Sequence, residues 1–252
     1  MKQKSENRRA LPKFFLTILL SLLAGSALGF VVGLSHVFGL NTDRVADGLN
    51  RVLQGMTSWA IPVTSALFLG GAFLLYRTAH GKLSGWDGGD ETDASEDAEQ
   101  LLSWVLLLSA VQLLIDFFFM AALPVYYLND SALPIVAEFM VSCALVIFTQ
   151  QKVVDLTKRI NPEKRGSVYD TKFQKKWLES CDESEQQQIG QACYRAYQVT
   201  NRVCVGLWLA LVILSMVFRI SLLPVFILLL ILGTLQVTYT LECIRLSRKG
   251  RA

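Results

Sequence analysis

Three ionisable residues, Asp116, Glu138 and Arg219, interrupt long apolar stretches of this 252-residue sequence. Counted along predicted helices at about 1.5 Å per residue, their depths agree within roughly 5 Å, so the three side chains can meet. An arginine would neutralise one acid and leave the other protonated or hydrated, which is the chemistry of a proton or cation relay. The alternative is a buried polar cluster that only fixes the order of the helices. The sequence favours this alternative, because no polar stripe is evident from these residues toward the cytoplasm.

The elements that would hold these residues are long uncharged segments, and hydrophobic residues make up 52% of the chain. About 20 apolar residues in a helix cross a hydrocarbon core of about 30 Å. The sequence therefore predicts an all-α fold, a polytopic membrane helix bundle with six transmembrane helices. The predicted spans are 14–37, 60–76, 101–123, 132–149, 203–222 and 225–244.

A stripe of small residues, Ser21, Gly25, Gly29 and Gly33, recurs every four positions in the first predicted span. Such a stripe lets a second helix approach closely where lipid supplies no hydrophobic drive for association. It indicates either packing against another helix of the same chain or the seam of a homo-oligomer, and the first reading is favoured.

Basic residues are distributed unevenly between the predicted loops. With six spans and a cytoplasmic amino terminus, all but Arg44, Arg51 and Arg219 of the 24 lysines and arginines lie on the cytoplasmic side. This bias predicts that both termini are cytoplasmic. The predicted organisation is a basic cytoplasmic arm at 1–13, spans 1 to 4 in 14–149 with an acidic cytoplasmic loop at 77–100, a cytoplasmic helical loop between spans 4 and 5 at 150–202, spans 5 and 6 in 203–245, and a basic cytoplasmic tail at 246–252.

The loop at 150–202 is the longest polar stretch that keeps apolar residues at helical spacing. The pair Asn161-Pro162 predicts the end of a helix that extends the fourth span into the cytoplasm. Asp182 and Glu185 have the spacing of a capping box, which predicts the start of a helix that continues into the fifth span. The loop is therefore predicted to be two helical extensions with a short helix between them.

The short helix carries a predicted docking face. Phe173, Trp177 and Cys181 align at i, i+4 and i+8, and Lys176 lies among the basic residues beside them. This face is predicted to contact a protein partner or an anionic lipid surface.

Three parts of the loop carry a family resemblance. They are Asn161-Pro162-Glu163-Lys164-Arg165-Gly166, then Tyr169-Asp170-x-x-Phe173-Gln174-Lys175-Lys176-Trp177-x-x-Ser180-x-Asp182-Glu183, and then Ala192-x-Tyr194-x-Ala196-Tyr197. Together with the pattern of spans, they resemble a bacterial, Gram-positive family of six-span integral membrane proteins known only as a domain of unknown function. The resemblance implies a multi-pass protein of the bacterial plasma membrane and assigns no catalytic residue.

Motifs of catalysis and of cofactor or metal binding are missing from the sequence. It has no GxSxG elbow, no HExxH pair and no glycine-rich phosphate loop, and His36 and His80 stand alone. The five cysteines form no CxxC pair, and the net charge of +3 is too small to imply nucleic acid. We therefore expect no enzyme activity, no catalytic residue, no cofactor, no metal and no nucleic acid partner.

Two classes of function remain. The leading interpretation is a non-enzymatic accessory subunit that docks a protein partner through its cytoplasmic loop, with the lipid bilayer and a second copy of the chain as further partners. The alternative is a transporter, either ion-coupled through Asp116, Glu138 and Arg219 or the permease subunit of an ABC exporter.

Overall fold

A computed structural model describes the chain at positions 16, 19, 20, 23, 26 and 30 and over residues 42–84, 93–126, 132–218 and 221–249. These parts contain helices and turns and no strand, so the predicted all-α class is confirmed for them. The seven helices are α1 (Thr42–Thr57), α2 (Ala60–Leu83), α3 (Asp93–Tyr126), α4 (Leu133–Ile160), α5 (Phe173–Glu179), α6 (Glu183–Phe218) and α7 (Leu223–Lys249).

Five of these helices, α2, α3, α4, α6 and α7, are long and apolar enough to cross a membrane. Their outer surfaces carry large apolar side chains that the protein leaves uncovered; Leu67 and Leu114 are 68% and 71% exposed. Water is a poor solvent for such surfaces, whereas lipid tails are a good one. The chain is a helical membrane protein. The stripe Ser21, Gly25, Gly29 and Gly33 lies outside the described residues, and the first span remains a prediction.

The chain divides into two compact units, 48–189 and 1–47 with 190–252. In the first unit, α2, α3 and α4 each contact the other two. In the second, α6 and α7 are joined by a stack of Tyr197 on Tyr239, with ring centroids 4.5 Å apart. A hydrogen bond from Gln236 Nε2 to Asn201 Oδ1, 3.1 Å long, joins the same two helices.

The three-helix bundle of α2, α3 and α4 is organised around one buried seam of α3. The seam residues recur at alternating spacings of three and four, the period with which helices pack side by side in coiled coils. They are Ser95, Ala98, Leu102, Val105, Ser109, Gln112, Asp116 and Phe119. Apart from Ser95 at the start, apolar residues lie on either side of the polar residues Ser109, Gln112 and Asp116 in the middle of the seam.

Two apolar clusters therefore cap the bundle core on either side of a polar centre. One packs Ala72 and Ala79 of α2 against Val105 of α3 and Val153 of α4. The other packs residues from the opposite ends of the same three helices, namely Ala60, Ile61, Phe119 and Ile135. The alanines of α2 let α3 approach closely, since a small side chain at a helix contact brings the backbones together.

The connection between α2 and α3 is shorter than the predicted acidic loop at 77–100. Helix α2 continues to Leu83, and α3 already begins at Asp93. Contacts between the extended ends stabilise the extra turns: Lys82 forms an ion pair with Asp97, and Asn161 Nδ2 donates a hydrogen bond to Glu99 Oε1. The acidic residues from Asp93 onward thus belong to a helix rather than to a loop.

The close approach of α2 to α3 predicts that a larger side chain lowers the stability of the protein at a buried position of α2 but not at an exposed one. Replacing the fully buried Ala72 by leucine should overpack the seam and destabilise the protein by about 1–3 kcal/mol. The matched variant Ala66→Leu places the same side chain at an exposed position of α2 and should change little. Thermal unfolding in detergent, followed by circular dichroism, measures both. Equal melting temperatures for the two variants would contradict this packing.

Candidate functional site

The candidate site is centred on the carboxyl group of Asp116, which is fully buried between α2, α3 and α4. Its Oδ1 accepts a hydrogen bond of 2.8 Å from Gln112 Nε2, and its Oδ2 accepts one of 2.7 Å from Ser142 Oγ. Both donors are neutral. Within 42–84, 93–126, 132–218 and 221–249, no lysine or arginine forms an ion pair with this carboxyl.

Helix α2 completes the network through Ser65. Its Oγ lies 2.9 Å from Ser142 Oγ, and it accepts a hydrogen bond of 2.9 Å from Gln112 Nε2. We call Ser65, Gln112, Asp116 and Ser142 the polar layer. Because each helix of the bundle contributes at least one member, the layer ties the three helices together at one level.

The polar layer lies inside the apolar stretches of three membrane-crossing helices. Gln112 is the central residue of the apolar stretch 101–123, and an apolar cluster closes the core on either side of the layer. Substrate and ion sites of membrane transporters also lie within the membrane, between such helices. The layer has unused hydrogen-bonding capacity, since buried Gln112 Oε1 accepts no hydrogen bond from any described residue.

The structure brings together only part of the cluster predicted from the sequence. Asp116 is buried as predicted, but its partners are Gln112 and Ser142 rather than Glu138. Glu138 lies one turn before Ser142 on α4 and is partly exposed, with a buried Oε2 that has no partner in the described part of the chain. Arg219 lies outside the described residues, so its predicted pairing stays a prediction.

The neutral members of the layer were not predicted from the sequence, and a polar stripe exists where none was expected. Ser109, Gln112 and Asp116 follow one another at spacings of three and four on α3. Gln150 Nε2 of α4 donates a separate hydrogen bond to Ser109 Oγ at 3.4 Å. The spacing of these residues by three and four positions was the signal that the sequence offered. It indicates a polar stripe only when the buried face of α3 is known.

A second polar assembly folds the segment between α4 and α6, which we call the loop module (residues 161–185). At its centre, Lys164 is only 5% exposed, forms an ion pair with Glu185 and lies 3.5 Å from Cys181 Sγ. Burial acts to lower the pKa of Lys164, but the hydrogen bond and charge of Glu185 raise it more, so that its pKa lies above the ordinary value. The ammonium group is therefore charged within the module.

Local signals in the loop module are confirmed. Glu185 N donates to Asp182 Oδ1 at 2.7 Å, and Asp182 N donates to Glu185 Oε2 at 3.0 Å, which is the predicted capping box at the start of α6. Helix α4 ends at Ile160, immediately before Asn161-Pro162, as predicted. Gly166 has a φ of +124°, and a Cβ there would lie 2.8 Å from the ring of Phe173. Only glycine fits this turn without strain.

The predicted docking residues do not form one exposed face. The rings of Phe173 and Trp177 are 5.5 Å apart and both are partly buried, while Cys181 is 8% exposed. Trp177 and Cys181 line a cavity of about 250 Å³ shared with the ends of α3 and α4. Lys176 is exposed, and its hydrogen bond to Asp170 holds the pKa of Asp170 below the ordinary value. Whether a partner binds here stays a prediction.

No group of three or more histidine, cysteine or acidic residues among those described is arranged to hold a metal ion. The polar layer and the loop module differ in chemistry. Their hydrogen bonds join carboxyl, amide and hydroxyl groups in the first and an ammonium–carboxylate pair in the second. The polar layer can exchange a proton or bind a small cation; the loop module fixes a shape.

Comparison with known proteins gives one result. A family model described as protein of unknown function (DUF3169) matches residues 8–241. No curated protein and no solved structure matches the chain. The resemblance to an uncharacterised family is thereby confirmed, and the chain belongs to the family described as protein of unknown function (DUF3169).

Proposed function

We propose that this is a non-enzymatic, multi-pass protein of the bacterial plasma membrane that conducts a proton or a small cation through Asp116. The observation that carries the proposal is the complete burial of Asp116 within the apolar stretches of three helices, with neutral hydrogen-bond donors only. An ionised carboxylate at this depth is costly, so it must be protonated or accompanied by a cation. Either condition makes occupancy of the site depend on ion concentration.

The chemistry of the polar layer supports exchange of an ion over a purely structural role. Holding three helices in order requires hydrogen bonds, and asparagine at position 116 would provide them without any charge to stabilise. Aspartate adds a titratable group at the most expensive place in the membrane. The free Gln112 Oε1 adds a further hard oxygen, the atom type preferred by alkali cations and by the hydronium ion.

The surroundings of the layer fit an occluded state. Toward Gln150 of α4, the layer is followed by the separate hydrogen bond at Ser109 and then by the apolar cluster that contains Val105 and Val153. On the other side, Phe119 and its neighbours close the core. Apolar constrictions on both sides of a polar site block passage until helices move. Conduction would therefore require opening one cluster at a time.

The variant Asp116→Asn tests this function without removing the side chain's size. Asparagine keeps an acceptor oxygen for Ser142 Oγ, so the protein should fold and reconstitute like the wild type. In liposomes with an internal pH indicator, imposed proton or sodium gradients should drive proton or cation flux through the wild type. With Asp116→Asn the flux should fall to the level of protein-free vesicles, because the exchanging group is gone.

Two controls make the result specific. Glu179→Gln removes a carboxylate of α5 that is exposed outside the membrane-crossing helices, and it should leave the flux unchanged. Asp116→Glu keeps a carboxyl group and should retain part of the flux. Wild-type vesicles that show no flux under any proton or sodium gradient, or Asp116→Asn vesicles that conduct normally, would contradict ion conduction through Asp116.

We further propose six spans with both termini in the cytoplasm. The five described membrane-crossing helices and the predicted span at 14–37 support this count, and the positive-inside bias supports the orientation. Parity provides the test, because five spans would place the termini on opposite sides. A green fluorescent protein fused to either terminus should fluoresce in bacteria, whereas alkaline phosphatase fused to either should be inactive. Opposite results at the two ends would contradict six spans.

Docking of a cytoplasmic protein partner is the second candidate function. It is favoured by the rigidity of the loop module, in which a buried ion pair, a capping box and a left-handed glycine fix one shape. The exposed apolar side chains of the module are Tyr169 and Leu178 rather than Trp177. The ATPase of an ABC exporter would be a partner of this kind.

Removing the central ion pair tests the docking function. Lys164→Met keeps the length of the side chain but loses its hydrogen bond to Glu185, which should loosen the module by about 2 kcal/mol and speed tryptic cleavage within it. A protein that copurifies stoichiometrically in mild detergent should be lost with Lys164→Met and with Tyr169→Ser. It should be retained with Lys175→Met, which removes a lysine of an exposed pair. Absence of any stoichiometric protein with the wild type would contradict docking.

A further inference from the structure

A groove between α2 and α4 has no role in either proposed function. Its volume is about 610 Å³, and its walls combine apolar and aromatic side chains with a basic end. Leu69 and Phe73 of α2 face Leu145 and Phe148 of α4 along the apolar part. The groove lies wholly within the three-helix bundle and opens on its outer surface.

The basic end of the groove is formed by Arg77, His80 and Lys152. No aspartate or glutamate lines the groove, and none of the ion pairs among the described residues involves Arg77 or Lys152. Lys152 Nζ lies 5.2 Å from the centre of the Phe148 ring, which keeps the ammonium group over the groove wall. The positive charge at this end is therefore available to an anion.

The position of these cations along the helices matches the level of lipid headgroups. Lys152 follows Ser142 of the polar layer by ten residues of α4, and Arg77 follows Ser65 by twelve residues of α2. At 1.5 Å per residue these separations are about 15 Å and 18 Å, close to half of a hydrocarbon core of about 30 Å. Arg77 directly follows the apolar stretch 60–76 and Lys152 lies three residues beyond 132–149, so the basic end lies at the headgroup boundary and the apolar walls lie below it.

We propose that this groove binds an anionic phospholipid. The phosphate would lie between Arg77 and Lys152, with His80 as a further donor, and an acyl chain would run along Phe73 and Leu145. A free anion would leave the apolar walls uncovered. A zwitterionic lipid would bring its own cation close to the basic end, where charge repulsion weakens binding. Basic pockets between membrane helices at the cytoplasmic boundary bind anionic headgroups in this way.

Lipid titration of the purified full-length protein tests the site. Native mass spectrometry from detergent, with phosphatidylglycerol or phosphatidylcholine added, should show one phosphatidylglycerol retained at low concentration and phosphatidylcholine bound only weakly. The double variant Arg77→Gln/Lys152→Gln should bind phosphatidylglycerol about 25-fold more weakly, the product of roughly fivefold for each lost basic contact. Its unchanged circular dichroism spectrum would show that it folds.

Matched variants separate this groove from general attraction of lipid to a basic protein. Lys175→Gln/Arg195→Gln removes the same charge from exposed positions outside the groove and should keep wild-type binding. Arg77→Lys/Lys152→Arg keeps the charge and should also bind, which covers the case in which the neutral variant does not fold. The proposal is overturned if the two charge-removing variants lose equal affinity, if both lipids bind equally, or if the charge-keeping variant loses binding. Binding is measured without flux, so a failure here leaves the role of Asp116 unaffected.

Discussion

The hydrogen bonding of one carboxyl group in a lipid-surrounded bundle is the constraint on which the rest of the first unit depends. Asp116 is fully buried between apolar helices, so the protein must supply its donors, one from its own helix and one from α4. Ser142 of α4 and Ser65 of α2 reach the layer only because the helices pack closely, and small residues such as Ala72 permit that approach. The two apolar clusters then exclude water from above and below. Close packing of the helices thus allows the hydrogen bonds of the polar layer, and these hydrogen bonds join the packed helices.

Features that depend on neighbouring residues in the sequence were predictable, and those that depend on distant ones were not. The end of α4 at Asn161-Pro162 and the capping box of Asp182 and Glu185 follow from local backbone chemistry, and both are confirmed. Of the two hydrogen-bond partners of Asp116, Gln112 lies four residues away on the same helix, whereas Ser142 comes from a helix 26 residues away, and a serine within an apolar stretch does not reveal which way it faces. Composition alone therefore located the carboxyl group without locating its network.

The short helix α5 shows the same limit in another form. Phe173 and Trp177 lie one turn apart on α5 as predicted, but the helix ends at Glu179, so Cys181 lies beyond it. Periodicity also cannot tell whether these residues meet a partner or the chain itself. Lys164 and Gly166 account for part of the internal contact, since the first occupies a buried position beside Cys181 and the second admits the ring of Phe173. An apolar stripe near a left-handed glycine and an isolated lysine is thus a sign of internal packing as much as of docking.

Helix α4 carries parts of all three features and is the element through which they can influence one another. Ser142 belongs to the polar layer, Lys152 to the lipid groove, and Gln151 accepts hydrogen bonds from Ser167 Oγ and Val168 N of the segment that continues into α5. Protonation or cation binding at Asp116 changes the demand on the Ser142 hydroxyl, and a helix responds to such a change as a nearly rigid rod. A small rotation of α4 would move Lys152 relative to Arg77 of α2. The same rotation would shift Gln151, whose hydrogen bonds hold the loop module to α4. The seam of α3 has a repeat of about 3.5 residues, and side chains that interdigitate with this repeat pack well only in certain registers. Helix α4 would therefore move between distinct packed positions rather than continuously.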